Sequence, residues 1–391
     1  MKFPIENAAF TNIWDSANGP TIVNMILNDP DLVRIKPHYF RTAFTIGENF
    51  STDLEGEASF TVKAEMPTHP TVMDMRAPLA EGKPMAEGEA LKYSGSIQGF
   101  MSPTWDETAT ARMYKERLIE KYGSDAAILK DFATKELAPR IEAGYYTLDY
   151  IAARVETTFK ARYDIGRGLR SNIYAIPSEY RQSVKAGAQA WTITTADILT
   201  SVMNIQEKKW LEWGVELPMQ LKVTKKFFNN VIMKNEGVIK TLKTNWLTDQ
   251  GQLAAGIDNV SNWVITEDNF NKYVAGSIQG FPKLTIVETE IIVDGKLIDP
   301  WEDGIAVLCP LGYAGRILRT NILDEEIYSR YGNNASSFNF TRTADGLMLV
   351  MNSIVPNGSL NERHMKVLMD AVPALTDFQY RVLIDTKTAD A

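Results

Sequence analysis

The chain has 391 residues, 41 lysines and arginines against 49 aspartates and glutamates, and a formal net charge of −8. It is 45% apolar and 23% charged, which is ordinary globular usage and excludes a disordered, collagen-like or low-complexity chain. The acidic balance disfavours a uniformly basic nucleic-acid binder, and the single cysteine, Cys309, leaves no internal disulfide to staple a secreted domain.

The opening MKFPIENAAF lacks the apolar core of a signal peptide, and runs such as Ile305–Pro310 fall far short of a membrane span of roughly 20 residues. The expectation is a chain that stays in a cytosol and has no membrane partner. Residues 1–36 have weak periodicity, are punctuated by Gly19-Pro20 and Asp29-Pro30, and read as an arm that takes its order from something else.

Residues 57–64 alternate, with Ala58, Phe60, Val62 and Ala64 on one side and Glu57, Ser59, Thr61 and Lys63 on the other, the pattern of a half-exposed strand. Lys92–Met101 is a second, glycine-containing strand. The segment between them carries Pro67, Pro70, Pro78, Pro84, Gly82 and Gly88. So long a connection is uncommon in a compact domain and is usually functional, so a long hairpin reaching away from the body is expected. Residues 37–105 hold nine acids and five bases, half of the chain's excess charge. They read either as a solvated loop or as an acidic surface meeting a basic one on a neighbouring copy.

Ala133, Leu137, Ile141, Tyr145, Leu148, Ala152, Val155 and Phe159 recur every three or four residues, a sustained helical stripe. Ser124-Asp125 suits its start, Gly166 and Gly168 its stop, and Pro139 either kinks it or opens a second helix. Such a helix, with no zipper repeat, is expected to span a domain.

Thr194–Trp213 and Lys222–Leu242 read as helices separated at Leu217-Pro218. The second carries six lysines and one acid, Glu236, across 222–243. Because these lysines alternate with Val223, Phe227, Phe228, Val231, Ile232, Val238, Ile239 and Leu242, they read as the polar face of an amphipathic helix rather than a nucleic-acid patch. The last third turns to strands at Leu284–Val293, Gly304–Pro310, Gly346–Val355 and Tyr380–Asp385, with a tight turn at Asp294-Gly295. Residues 363–372 fit either state. The class is α+β, without a fixed-period repeat.

No catalytic constellation emerges. His38, His69 and His364 are scattered and form no zinc-helix pair, and the phosphate-cradling Gly-x-x-x-x-Gly-Lys-Ser/Thr is absent. Gly166-x-Gly168 follows a helix and lacks a third glycine, so it is a helix stop rather than a dinucleotide site. Cys309 sits in an apolar run and reads as core. Trp301-Glu302-Asp303 lies between Asp299-Pro300 and Gly304 and reads as a solvated turn rather than a glycosidase pair. No enzyme activity and no cofactor are expected. Eight tryptophans suit large contact surfaces as well as cores.

The order of parts resembles the major capsid proteins of tailed phages with the Hong Kong 97-type fold: an N-arm, an extended E-loop hairpin, a long spine helix, a P-domain and an A-domain. The segment Tyr150-Ile-Ala-Ala-Arg-Val-Glu156, the Trp210–Trp213 stretch, the helix from Thr224, the strands Leu284–Val293 and Gly304–Gly312, and Val372-Pro-Ala-Leu375 before Tyr380–Asp385 resemble the branch related to the lambda head protein, the major capsid protein E family. The resemblance implies an N-arm at 1–36, the E-loop region at 37–105, spine helix and P-domain at 106–168, the A-domain at 169–320, and returning P-domain strands with the C-terminal segment at 321–391.

It further implies a head protein whose copies form pentameric and hexameric capsomers of an icosahedral virion shell. The E-loop would lie over a neighbouring subunit. Implied partners are a separate scaffolding protein, a portal, a maturation protease and weak, non-specific contact with packaged DNA, with assembly in the host bacterial cytoplasm. Lys63, Lys83 and Lys92 lie in the E-loop region, but no partner asparagine or glutamate is identifiable, so covalent crosslinking is not expected. The candidate inter-subunit contact sets Glu55, Glu57, Glu65, Asp74, Glu81, Glu87 and Glu89 against Arg140, Arg154, Lys160 and Arg162. Two other classes stay open: an encapsulin-like compartment, and a cytosolic enzyme with a site built from distant residues.

Overall fold

The computed structural model describes residues 13–14, 18–29, 37–50, 58–65, 90–107, 125–165, 171–249, 266–322, 338–357 and 360–389. The chain divides into two compact units. The first comprises residues 1–60, 95–151 and 316–373, the second residues 61–94, 152–315 and 374–391.

The first unit is organised by a sheet of seven strands. Its main order is Phe44–Phe50, Gly315–Thr320, Leu360–Leu375, Leu349–Asn357, Phe338–Arg342, and Gly99–Met101 and Trp105–Asp106 also pair with Leu360–Leu375. Residues 363–372, open between helix and strand on their pattern, are strand. Met365, Val367, Leu368 and Met369 are all buried, and ladders on both sides outweigh the helical spacing of the same residues.

The expectation that residues 1–36 take their order from elsewhere does not hold for 13–14 and 18–29. Ile13 and Trp14 are 1% exposed, and the helix Gly19–Leu27 buries Ile22, Val23 and Ile26. A Cβ at Gly19 would stand 2.2 Å from the Ile13 carbonyl oxygen and 2.3 Å from Asn339 Nδ2, so only glycine lets this helix start so close to the sheet. Asn339 Nδ2 donates to that same carbonyl at 2.7 Å.

The long helix forms as two α-helical pieces, Asp125–Phe132 and Ala138–Thr158, joined by a π-helical turn at Ala133–Leu137. Pro139 has no N–H to give and crowds the carbonyl four residues back, and the wider π-turn just before it accommodates both demands. Every residue of the apolar stripe is buried. The helix ends at Thr158, earlier than expected, with Phe159 in the left-handed region (φ 57°) and its N–H on the Val155 carbonyl at 3.0 Å. A non-glycine residue adopts that conformation at a cost of about 1–2 kcal/mol, which burial of the Phe159 ring offsets. The expected stop at Gly166 and Gly168, and the cap at Ser124, lie outside the described residues.

The alternating segment is the strand Ala58–Glu65, with Ala58, Phe60 and Ala64 buried and Ser59, Thr61 and Lys63 exposed. Among the described residues it pairs only with Ala90–Ile97, the strand pairing expected. The tip between them lies outside the described residues.

The second unit is built on a five-stranded sheet in the order Lys283–Val287, Met219–Thr224, Ile305–Pro310, Val382–Asp385, Gln182–Lys185. The outer pairings at each edge are parallel and the two inner ones antiparallel. Ile305–Pro310 is the central strand and carries Cys309 fully buried.

Lys222–Leu242 is not one helix. Met219–Thr224 is a strand buried on both faces, followed by the helix Lys225–Asn230, a 3-10 turn at Ile232–Lys234 and the helix Glu236–Asp249. Thr224 makes the switch: its Oγ1 accepts the Phe227 N–H at 3.2 Å as an N-cap. The preceding helix begins at Ile198 rather than Thr194, because Asp197 caps it through the Thr200 N–H, and it ends at Trp213 before left-handed Gly214. These helices share one core with the sheet, including Val202, Trp213, Leu221, Phe228, Ile232, Val238, Leu242, Leu284, Leu308 and Ile384.

The run Leu284–Val293 is divided between Lys283–Val287 and Ile291–Val293. The latter forms a ribbon with Lys296–Ile298 through Asp294 (φ 49°) and Gly295 (φ 75°), the geometry that the Asp-Gly pair predicts.

Candidate functional site

The last turns of the long helix bring Glu156 into the second unit, fully buried. An isolated buried carboxylate would be too costly to ionise, so it needs cations, and two reach it. Lys222 Nζ lies 2.9 Å from Glu156 Oε2, and Arg381 Nη1 lies 2.6 Å from the same atom. Arg381 also grips Asp377 with a fork, Nη2 on Oδ2 at 2.8 Å and Nε on Oδ1 at 3.2 Å.

Among the described residues two acids and two bases therefore form a network that ties helix, sheet and C-terminal segment of this unit, with burial pushing the Asp377 carboxyl up and Arg381 opposing that rise. Burial acts against the guanidinium charge of Arg381, but Asp377 and Glu156 outweigh it and hold its pKa above the ordinary arginine value. Cys309 is near these charges, yet burial pushes its thiol up to about 11, so it stays a protonated core residue. Of the four network residues, the sequence pattern singled out Glu156 only through the family resemblance and read Lys222 as a helix surface. The available signal was a lysine alternating with Leu221 and Val223 in the short run Met219–Val223 after Leu217-Pro218.

The candidate basic contacts are described, and three have partners in their own chain. Arg140 donates to the Glu136 carboxylate at 2.8 Å and to the Pro103 carbonyl at 3.0 Å. Arg154 pairs with Glu302 at 2.6 Å, and Arg162 with Asp164 at 3.3 Å. Lys160 is exposed on the short strand Lys160–Tyr163. Of the candidate acids, Glu65 ends its strand, and Glu55, Glu57, Asp74, Glu81, Glu87 and Glu89 lie outside the described residues.

Trp301-Glu302-Asp303 is the turn expected. Trp301 is buried with Nε1 on the Ile305 carbonyl, while Glu302 and Asp303 are exposed and paired with Arg154 and Lys387. An open groove of about 250 Å³ beside it is lined by Thr224, Lys226, Asn230, Asp303 and Lys387 over a floor of Phe227 and Trp301.

His38 is buried in the first unit with Nδ1 2.7 Å from Asp149 Oδ2, and Asp149 Oδ1 accepts the Phe40 N–H at 2.9 Å. Rings of Phe40, Tyr145 and Tyr146 surround it, which makes it a core histidine. His364 pairs with Asp106 at 2.5 Å, and His69 lies outside the described residues. Among the described residues no group of three or more histidine, cysteine or acidic side chains could hold a metal, and no helix is long and apolar enough to cross a membrane.

No protein-family model matches the chain, and no curated protein matches its sequence. Solved structures do. A protein assigned as the capsid protein of a prophage from E. coli CFT073 superposes with TM-score 0.50 at 13% identity, over 94% of this chain and 98% of that one. The capsid of a native GTA particle gives TM-score 0.42 at 11% identity over 90% of each chain, and the capsid of Myoviridae phage XM1 gives 0.41 at 8% identity over 88% and 90%. The assignment rests on the first of these, which spans nearly all of both chains: the chain has the α+β Hong Kong 97-type fold of phage capsid proteins.

Proposed function

We propose that the chain is the major capsid protein of a tailed phage and that its copies assemble into the icosahedral shell of the head. The observation that carries this reading is the whole-length likeness in fold to the prophage capsid protein. Fold alone does not fix function, so the surface must bear the reading out.

Large apolar side chains stand in solvent on the second unit. Ile292 (50% exposed) and Leu297 (64%) face each other across the Asp294-Gly295 ribbon, and Leu311 (54%) and Tyr313 (59%) flank Gly312. Clustered exposed apolar groups of this kind suit burial against another subunit. The role is then structural rather than catalytic, and the principal partner is the chain itself, in pentamers and hexamers.

The finer expectations belong to the same proposal. The arm, E-loop, spine, P-domain and A-domain divide the chain at 36, 105, 168 and 320. A separate scaffolding protein, a portal and a maturation protease act on the assembling shell in the host cytoplasm.

The acidic stretch 37–105 meets basic groups of a neighbouring copy. Because Arg140, Arg154 and Arg162 already have partners within the chain, this contact works as long-range steering more than as specific pairs. Reversing Glu81, Glu87 and Glu89 together to lysine is expected to slow assembly several-fold at low salt, with the difference shrinking as salt screens it. Light scattering during assembly reads this out, and unchanged kinetics at low salt would discard the steering role. Shell formation itself is read by electron microscopy, as set out in the Discussion.

A further inference from the structure

Lys283–Val287 is an edge of the five-stranded sheet: among the described residues it pairs with Met219–Thr224 on one side and with no strand on the other. A row of free backbone groups on such an edge is a template for another strand. Here side chains fill the row. Asn271 Oδ1 accepts the Leu284 N–H at 2.8 Å, and Asn271 Nδ2 donates to the Leu284 carbonyl at 2.8 Å. Glu267 Oε2 accepts the Ile286 N–H at 3.2 Å. An asparagine amide offers the donor and acceptor of a peptide group, so Asn271 stands in for the peptide of a neighbouring strand.

Two periods set this fit. Glu267 and Asn271 are four residues apart on the helix Glu267–Tyr273, a rise of about 6 Å on one face. Leu284 and Ile286 are two apart on the strand, a rise of about 6.6 Å along one edge. The helix is anchored by Phe270 and Tyr273 in the core, by Asn245 Nδ2 on the Tyr273 carbonyl at 2.6 Å, and by Lys272 on Asp249 at 2.9 Å. The opposite edge of the sheet, Gln182–Lys185, is only four residues long and carries an exposed lysine, an ordinary protection. By contrast, the run Leu284-Thr-Ile-Val287 has neither charge nor proline and favours strand pairing.

We propose that this edge is a latent pairing surface for the same edge of a second copy of this chain, and that Glu267 and Asn271 are the latch that keeps it closed. The edge itself names the occupant. Two such strands set antiparallel about a twofold axis at Thr285 place Leu284 of each copy against Ile286 of the other. Each of these pairs exchanges two N–H···O=C bonds, so the outward groups of both strands are met. A second strand and the helix cannot share the edge, so pairing displaces the helix, and the three latch hydrogen bonds oppose that exchange. The inference does not require the shell reading.

The test uses the full chain, unassembled and dilute. In wild type, the Leu284 and Ile286 amides are expected to exchange with solvent within about tenfold of the Thr285 amide, which faces Met219–Thr224. Faster exchange than that means an open edge and overturns the proposal. In the variant E267A/N271A, self-association measured by sedimentation velocity is expected to rise by at least about tenfold. The control D268A/N269A loses an acid and an asparagine from the same helix and should stay within about twofold of wild type. Adding I286P to the test variant removes an outward donor without taking a hydrogen bond from the ladder, and should return association to the wild-type level.

The proposal is also overturned if E267A/N271A associates no more than wild type, if the control associates as strongly, or if I286P leaves the association in place. Should the double variant fail to fold, N271A alone carries the same comparison. Electron microscopy of the same samples reads the shell claim separately: dimers through this edge in a chain that forms no shells would support this inference and remove the capsid assignment.

Discussion

Replacing Arg381 with methionine is expected to destabilise the chain by about 3–5 kcal/mol, the usual consequence of breaking a buried charge pair from one side. Arg381 is fully buried and holds both carboxylates of its network, Glu156 at 2.6 Å and Asp377 at 2.8 Å. Its loss leaves Asp377 without its fork and takes from the buried Glu156 the guanidinium at 2.6 Å, with Lys222 still at 2.9 Å. Urea denaturation of the unassembled chain measures the loss. The physical claim is sharper in a second variant, E156L/K222M/D377L/R381M. Exchanging a whole buried ionic network for apolar groups of similar volume is often close to neutral. Recovery of most of the stability in that variant supports an ionic network whose members depend on one another. A single R381M variant within about 1 kcal/mol of wild type would contradict it.

The second large effect is expected at Trp14. Truncation to alanine should cost about 3–5 kcal/mol, as for other buried large aromatics. The indole stacks on Trp105 at 5.5 Å, meets Phe132 edge-on at 5.7 Å and lies under the Arg363 guanidinium at 5.2 Å. Its Nε1 donates to the His364 carbonyl at 3.3 Å. If the N-terminal segment were an arm ordered only by other subunits, W14A would leave the unassembled chain unchanged and affect assembly alone. Hydrogen exchange distinguishes the two cases. The packing seen here requires faster exchange in Leu360–Leu375 of the unassembled variant, and unaltered exchange there would refute it. Trp14→Phe, which keeps a ring against Trp105 and Phe132, should retain about half of the stability.

The stripe from Ala133 to Phe159 was legible because a helix has one period and this one keeps it through a π-turn, and all eight stripe residues are buried. The alternation at 57–64 and the Asp294-Gly295 turn were legible for the same reason: each is a local rule with a local outcome. Trp14 was not legible, because its partners at 105, 132 and 363 are fixed by tertiary pairing far along the chain. Residues 222–224, the end of the strand Met219–Thr224, read as the start of a helix because Lys222 counts as a surface residue in the pattern, when it is a buried cation held by Glu156. The strand across 363–372 stayed open because its apolar spacing serves both states until the neighbouring strands are present. The candidate interface was legible only as charge: the sequence gives the acids and bases, but which bases already have partners within the chain depends on the fold.

The central claim is that copies of this chain build a shell. The most direct test is negative-stain electron microscopy of the protein expressed alone and together with its neighbouring genes, after size-exclusion chromatography. Closed shells, tubes or capsomer rings are the predicted result, with a peak far larger than one chain. A compact monomer that stays monomeric even beside the products of its neighbouring genes would contradict the claim and move the enzyme reading up.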